Sequence, residues 1–199
     1  NSVTGKGQLV VLPLRTGNVA WDWALATFAG PAPGAAVKKA GAVFGKRLSP
    51  PEGLLALPHL AQPNFLEPGL FGAGAFFGIS PETDGDDLLR AVAAGMVFEL
   101  AEALRRPLDK DFADTIVVGG GASKGLYFSR MLAALFPEYP VLRQVEEDLA
   151  VARGAVYALA PGIACAKTAV VRTPAESECD TLREAAERYA HLKKRLNIS

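Results

Sequence analysis

Apolar residues recur at helical spacing in two long stretches of the chain. The first begins at Ser80-Pro-Glu-Thr-Asp-Gly-Asp86, where Asp84 or Asp86 can cap a helix, and Pro107 is expected to end it. Its inward stripe is Leu89, Val92, Ala93, Met96, Leu100 and Leu104, with Glu99, Glu102, Arg105 and Arg106 turned elsewhere. The second stretch predicts a helix over residues 181–196, in which Thr181 and Glu184 fit a capping box.

Shorter patterns predict strands and further helices. Apolar runs bounded by glycine or proline predict strands at residues 9–14, 53–58, 114–118 and 140–145. Helices are expected at residues 19–28, with Asn18 as the cap, and at residues 124–136 and 148–160. A weak Ala-rich segment runs to Arg47, and residues 59–78 are interpreted as an ordered loop that closes on a short segment at 75–79. From residue 114 the order strand, helix, strand, helix predicts a right-handed parallel crossover and an α/β fold.

The segment Asp114-Thr-Ile-Val-Val-Gly-Gly-Gly-Ala-Ser-Lys124 combines a strand, a glycine turn and a helix start. Its Ile-Val-Val run is apolar on both faces, which is typical of a central parallel strand. Three glycines at the carboxyl end of such a strand leave the backbone open to a ligand, and the following helix N-terminus favours anions. The turn lacks the Gly-Lys-Ser/Thr of a Walker loop and the acidic partner of a dinucleotide site. We interpret it as a nucleotide-binding turn, with tight strand–helix packing as the alternative.

Six motifs follow one another along residues 9–160. They are Val19-Ala-Trp-Asp-Trp23, Leu57-Pro-His-Leu60, Gly74-Ala-Phe-Phe-Gly-Ile79, Asp87-Leu-Leu-Arg-Ala-Val-Ala-Ala-Gly95, Val118-Gly-Gly-Gly-Ala-Ser123 and Arg153-Gly-Ala-Val-Tyr-Ala-Leu-Ala160. In this order they resemble the C-terminal domain of the FGGY family of carbohydrate kinases, which includes xylulose, ribulose and glycerol kinases. The resemblance implies an actin-like (ribonuclease H-like) ATPase domain, the second of two domains that close on a cleft. Residues 1–199 would form this single nucleotide-binding domain, with a core at about 9–160 and a C-terminal helix at about 181–196.

The resemblance also implies the ligands of the site. ATP is the expected nucleotide, with Mg²⁺, and a sugar or polyol would be held together with the first domain. The residues that would line the adenine and ribose are Gly119, Gly120, Gly121 and Ala122, with Ser123 or Lys124 at the helix mouth. Gly125 falls where some relatives carry a polar contact to adenine, so that contact is expected to be absent.

The catalytic residues are expected outside this chain. The family uses a general-base Asp and a Gly-Thr-Ser/Thr phosphate loop, and neither motif is present here. The chain begins at Asn1 without a Met or a signal-peptide pattern, so we expect an excised domain or a fragment. Because the base and the phosphate loop are missing, we expect this chain to be inactive alone. Asp22, in the Trp-Asp-Trp cluster, could be taken for a substitute general base, but a helix-surface or packing role is expected for it. The two tryptophans are expected to pack in the core or between domains.

Three departures from the family pattern support a rival interpretation. The charged stretch after the second motif is replaced by Ala61-Gln-Pro-Asn-Phe65, the helix Glu is Ala94, and an Ala-Asp pair reads Ala133-Ala134. These lost polar residues favour a non-catalytic, actin-like nucleotide-binding module with a regulatory or scaffolding role. The intact glycine turn favours the kinase.

Composition and charge narrow the partners further. Lys plus Arg is 21 and Asp plus Glu is 21, so the net charge is zero and gives no indication of nucleic-acid binding. No apolar run is long enough to span a membrane. The two cysteines lack the spacing of metal ligands, which argues against a metal site. So low a cysteine count suits a reducing compartment, and we expect the cytoplasm. His59 is expected to be a satisfied core histidine. His191 and the basic run Lys193-Lys-Arg195 are expected to face solvent. The sequence leaves open whether the chain forms a homodimer.

Overall fold

The computed structural model describes residues 17–62, 72–108, 114–119, 125–145 and 167–198. The helices over these residues are α1 (Asn18–Ala24, continued by a π-helical turn over Leu25–Ala29), α2 (Pro33–Lys46), α3 (Gly85–Leu108), α4 (Leu126–Leu135) and α5 (Glu176–Arg195). The strands are β1 (Leu55–Leu57), β2 (Ala75–Phe77), β3 (Ile116–Val118), β4 (Val141–Gln144) and β5 (Thr168–Val170). The strand predicted at 9–14 and the helix predicted at 148–160 lie outside the described residues.

The strands form two small sheets in a mixed α/β fold. β1 and β2 pair antiparallel, with Ala56 opposite Phe76. In the other sheet β3 and β4 are parallel and β5 is antiparallel to β4. The helix α4 joins β3 to β4, so the parallel connection predicted from the sequence is confirmed.

The prediction of a strand buried on both faces is wrong for β3. Ile116 faces the core, but the side chain of Val117 is 51% exposed. Strand β5 was not predicted, because its three residues carry no apolar alternation and two of them are exposed. The Ala-rich segment forms the full helix α2, which begins with Pro33 in its first turn and buries Ala36, Ala40, Val43 and Phe44.

The long helix α3 is fixed by the residues of its own motif. Asp84 accepts a hydrogen bond from the Asp87 N–H (2.8 Å), which confirms Asp84 as the cap. The buried Arg90 donates to the Asp87 carboxylate (3.0 Å) and to the carbonyls of Val43 and Arg47 (both 3.2 Å). Arg90 therefore ties α3 to the end of α2, where helix carbonyls lack partners within the helix.

Helix α5 is fastened to three other parts of the fold. The Leu48 N–H, between α2 and β1, donates to the carboxylate of Glu178. The Arg183 Nε donates to the Ala134 carbonyl in the last turn of α4 (3.1 Å). Near its end, α5 meets α3 through the side chains of Tyr189 and Lys193. These contacts hold α2, α3 and α4 against one helix.

Three predicted helix boundaries are wrong. Asn18 is the first residue of α1 rather than its cap, and α3 continues through Pro107 to Leu108. Helix α5 begins at Glu176, and Thr181 donates within the helix to the Ser177 carbonyl (2.8 Å) instead of forming a capping box.

A buried polar cluster joins α3 to α5. Glu99 accepts hydrogen bonds from the Tyr189 hydroxyl (2.8 Å), and its carboxylate lies 2.8 Å from the Lys193 ammonium, which also contacts Glu102 (2.8 Å). The prediction that Lys193 faces solvent is therefore wrong. Burial alone would raise the pKa of Glu99, but His59, Lys193 and Tyr189 outweigh it and lower that pKa to about 2.

His59 is buried as predicted, with 4% of its surface exposed. The prediction that its ring is satisfied holds only in part among the described residues. Nε2 lies 3.4 Å from a Glu99 oxygen, a polar contact longer than a good hydrogen bond, and Nδ1 makes no hydrogen bond within those residues. His191 is exposed, as predicted.

Candidate nucleotide site

The glycine turn begins at the carboxyl end of β3. Gly119 directly follows Val118 and is exposed. The other predicted site residues, Gly120, Gly121, Ala122, Ser123 and Lys124, lie outside the described residues. On the far side of the turn Gly125 occupies the cap position of α4. The turn therefore joins the end of a parallel strand to a helix start, the location where open parallel sheets bind ligands.

A glutamine stands against the first glycine of the turn. Val118 pairs with Arg143, which brings Gly119 beside Gln144 at the same sheet edge. A Cβ on Gly119 would lie 2.5 Å from the Gln144 Oε1, so that side chain covers the position that Gly119 leaves open. Its amide can donate and accept hydrogen bonds. The sequence places Gln144 at the end of the neighbouring parallel strand. That it lies beside Gly119 follows only once the register of the two strands is known.

An aromatic cluster packs beneath the start of α4. The rings of Tyr127 and Phe44 are stacked, with centroids 4.3 Å apart and planes 18° apart. Trp21 packs against Tyr127 (5.6 Å) and edge-on against Phe128 (5.0 Å). These contacts bring α1 and α2 against the first turn of α4, directly after the glycine turn. Tyr127 was not singled out from the sequence, since its role depends on this packing.

The other tryptophan of α1 points to a different cluster. Trp23 is 38% exposed and packs against Phe28 and Phe76, with ring centroids 5.4 and 6.4 Å away. It borders a pocket of about 220 Å³ between α1, the first sheet and α3. The described lining is almost wholly apolar and includes Leu60 and Val92. Such a lining suits neither a sugar nor a polyphosphate, which both need several polar partners. Asp22, between the two tryptophans, is exposed as expected.

Two positions at which the resemblance predicted polar residues lie in the interior. Ala94 on α3 is 1% exposed and Ala134 on α4 is 0% exposed. At these positions the chain therefore has packed core instead of polar side chains.

Among the described residues no three His, Cys, Asp or Glu side chains are grouped so as to hold a metal ion. None of the helices in the described ranges combines the length and apolar character that crossing a membrane requires.

Comparisons with known proteins place the fold. No family model matches the sequence, and no curated protein does. The solved structures that it resembles include a xylulose kinase from Rhodospirillum rubrum (TM-score 0.69, 19% identity) and a gluconate kinase from Lactobacillus acidophilus (TM-score 0.70, 22% identity). A glycerol kinase from Plasmodium falciparum, solved with ADP, aligns with a TM-score of 0.62 at 14% identity.

These alignments cover 90%, 94% and 89% of this chain but only 38%, 39% and 36% of the respective kinases. The chain therefore spans less than half the length of the proteins that it resembles. At such identities a structural likeness establishes the fold and leaves the activity to be tested. The resemblance predicted from the six motifs is confirmed at this level: the chain has the actin-like fold found in part of the FGGY-type carbohydrate kinases.

Proposed function

We propose that the chain is the second, ATP-binding domain of an FGGY-type carbohydrate kinase. The observation that carries this proposal is the parallel unit of β3, α4 and β4, with the glycine turn at its carboxyl edge, inside a chain that has the sugar-kinase fold. In the complete protein, the γ-phosphoryl group of Mg-ATP would pass to a hydroxyl of a sugar or polyol.

The glycine turn would hold the adenosine. Gly119, Gly120, Gly121 and Ala122 would line the base and ribose, with Ser123 or Lys124 at the mouth of α4. The described side of the site fits such a ligand, because Gly119 is exposed and Gln144 adds one polar side chain at the same edge. The first N–H groups of a helix have no partner within the helix, so the start of α4 favours an anion nearby.

The chemistry would require the remainder of the kinase. Phosphoryl transfer depends on a positioned acceptor, a general base and Mg²⁺ at the phosphates, and the family motifs for base and phosphate loop are not in this sequence. Mg²⁺ is commonly held by one or two carboxylates together with the phosphates of its nucleotide. This chain alone is therefore expected to bind nucleotide without turning it over.

A second function is favoured by one observation. The buried Ala94 and Ala134 replace polar residues of the family pattern, so the complete protein could be a non-catalytic, actin-like nucleotide-binding module that regulates or scaffolds. Both functions require nucleotide binding. They differ in whether the complete protein transfers phosphate to sugars or polyols, which a coupled ADP-release assay over a panel of such acceptors would measure.

Titration calorimetry of this chain with ATP and ADP tests what the two functions share. Weak binding that depends on adenine is expected. Gly121→Val should reduce the affinity by about fivefold or more, because a branched side chain on the contact surface costs roughly 1–3 kcal/mol. Gly34→Val is the matched control, since a Cβ at that exposed position meets no atom within 4 Å. Equal affinity of the Gly121→Val variant and the wild type would remove the turn from the site.

A further inference from the structure

Gly125 is a glycine for a reason other than its backbone. Its φ of −92° and ψ of 110° are extended values that any residue adopts. A Cβ built on Gly125 would lie 2.3 Å from Cζ, 2.5 Å from Cε1 and 2.6 Å from the hydroxyl oxygen of Tyr127. Contacts this short do not occur between real atoms. The tip of the Tyr127 ring therefore occupies the space into which a side chain at position 125 would extend.

Three aromatic side chains hold the Tyr127 ring in that place. It stacks on Phe44, and Trp21 and Phe128 pack against it at centroid distances of 5.6 and 4.8 Å. The stack leaves the ring few alternative rotamers, so its hydroxyl has a defined position beside the end of the glycine turn. That hydroxyl makes no hydrogen bond with another described residue, whereas the hydroxyl of Tyr189 donates to Glu99.

We propose that Tyr127 is a specificity-determining residue of the nucleotide site and hydrogen-bonds the adenine base through its hydroxyl. The inference rests on the proposed function, and it concerns the position at which the sequence alone predicted the loss of a polar contact. The structure puts a polar atom back into that space from a residue two positions along the chain. A phenol suits the task, because its ring packs on apolar neighbours while its hydroxyl donates or accepts.

The ionisation of Tyr127 agrees with this role. A tyrosine with its ordinary pKa of about 10 is protonated at neutral pH, and burial raises the pKa of the Tyr127 phenol to about 12, so the hydroxyl remains a donor there. A neutral hydrogen bond contributes about 0.5–1.5 kcal/mol, which corresponds to a change in affinity of roughly two- to tenfold. Removal of the hydroxyl is therefore expected to weaken nucleotide binding without abolishing it.

The test compares three probes on this chain, namely ADP, adenosine and inorganic tripolyphosphate, by titration calorimetry. Tyr127→Phe keeps the ring stack and should weaken the binding of ADP and adenosine by the same factor, about two- to tenfold, while tripolyphosphate binds as to the wild type. Tyr139→Phe is the matched control, because it removes a phenol hydroxyl beyond the other end of α4, beside Phe136. This control should bind all three probes as the wild type does.

A rescue experiment separates base recognition from packing. Tyr127→Ala should lose ADP affinity and also vacate the space beside Gly125. Adding Gly125→Asn to that variant then supplies an amide in the same space, and Asn is well accepted at a helix cap. The double variant should recover at least threefold in ADP affinity over Tyr127→Ala, whereas Gly125→Asn alone should bind ADP less tightly than the wild type.

The outcomes distinguish this inference from the proposed function. If wild-type protein binds ADP and Tyr127→Phe binds it equally well, the tyrosine is not a base contact and the glycine turn keeps its proposed role. If Tyr127→Phe weakens tripolyphosphate as much as adenosine, the effect is a general disturbance of the site and the inference is wrong. If the wild type binds neither ADP nor adenosine, the proposed function fails and this inference fails with it.

Discussion

Helix α3 crosses strand β1 at Gly95, which makes that residue the most informative one to change. A Cβ on Gly95 would lie 2.3 Å from the carbonyl oxygen of Ala56 and 3.3 Å from the Cδ of Pro58. The first of these contacts is with backbone, which cannot rotate away. Gly95→Ala therefore requires α3 and β1 to separate by about 1 Å, since ordinary contacts begin near 3.4 Å.

Two opposing effects set the size of the change. Alanine in place of glycine inside a helix stabilises it by about 1 kcal/mol. Overpacking a close contact costs typically about 1–3 kcal/mol, and here the neighbours are buried on both sides. We expect the contact to prevail and Gly95→Ala to lower the free energy of unfolding by about 1–2 kcal/mol. For a chain of this size that corresponds to a fall of roughly 2–8 °C in the melting temperature.

Gly41→Ala supplies the control. Gly41 lies inside α2, where an added Cβ meets no atom within 4 Å, so only the helix-propensity gain remains. We expect the melting temperature of this variant to stay level or rise by a few degrees. Both variants would be melted side by side with circular dichroism at 222 nm. If Gly95→Ala is stabilised as much as Gly41→Ala, the close approach of α3 to β1 is wrong.

Two further predictions concern buried charges. The pKa of Glu99 is about 2 in the fold, against an ordinary value of 4.5. This difference stabilises the fold by roughly 3 kcal/mol above pH 4.5, and the contribution is lost as the pH falls toward 2. Urea unfolding at several pH values should show a shallower loss of stability over that window for Glu99→Gln than for the wild type, and parallel curves would contradict the assignment. Arg90→Met removes a buried guanidinium with three partners and should cost about 3–5 kcal/mol, whereas the exposed Arg172→Met should change stability by less than about 0.5 kcal/mol in the same urea titration.

Features of the fold that depend on neighbouring residues could be predicted from the sequence. The cap at Asp84 follows from side chains a few positions apart, and the parallel connection follows from the order of elements. The start of α5 could not be predicted in this way. Its first turn is held by the contact between Glu178 and Leu48, which are 130 positions apart. The buried Lys193 was missed for the same reason, because its carboxylate partners lie on another helix.

The residues of the candidate site also differ in whether the sequence alone could identify them. A run of glycines after an apolar strand is a local pattern, and it indicates the turn without knowledge of the fold. Gln144 enters the site only through the register of two parallel strands, and Tyr127 only because its ring folds back over Gly125. Gln144 ends a strand and Tyr127 lies in the first turn of a helix, and the residue types alone carry no information about these positions.

The contacts of α5 with earlier parts of the chain have a consequence for folding during synthesis. A chain leaves the ribosome from its N-terminus, and α2, α3 and α4 are complete before Glu176 has been added. Until α5 follows, the carbonyl of Ala134 lacks its partner Arg183, and the carboxylate of Glu99 lacks Tyr189 and Lys193. Contacts between residues far apart in sequence also form slowly, because a long loop must close first. The nascent protein therefore passes through a stage with apolar helix faces uncovered, and a translational pause within residues 136–175 would prolong its exposure to chaperones and to aggregation.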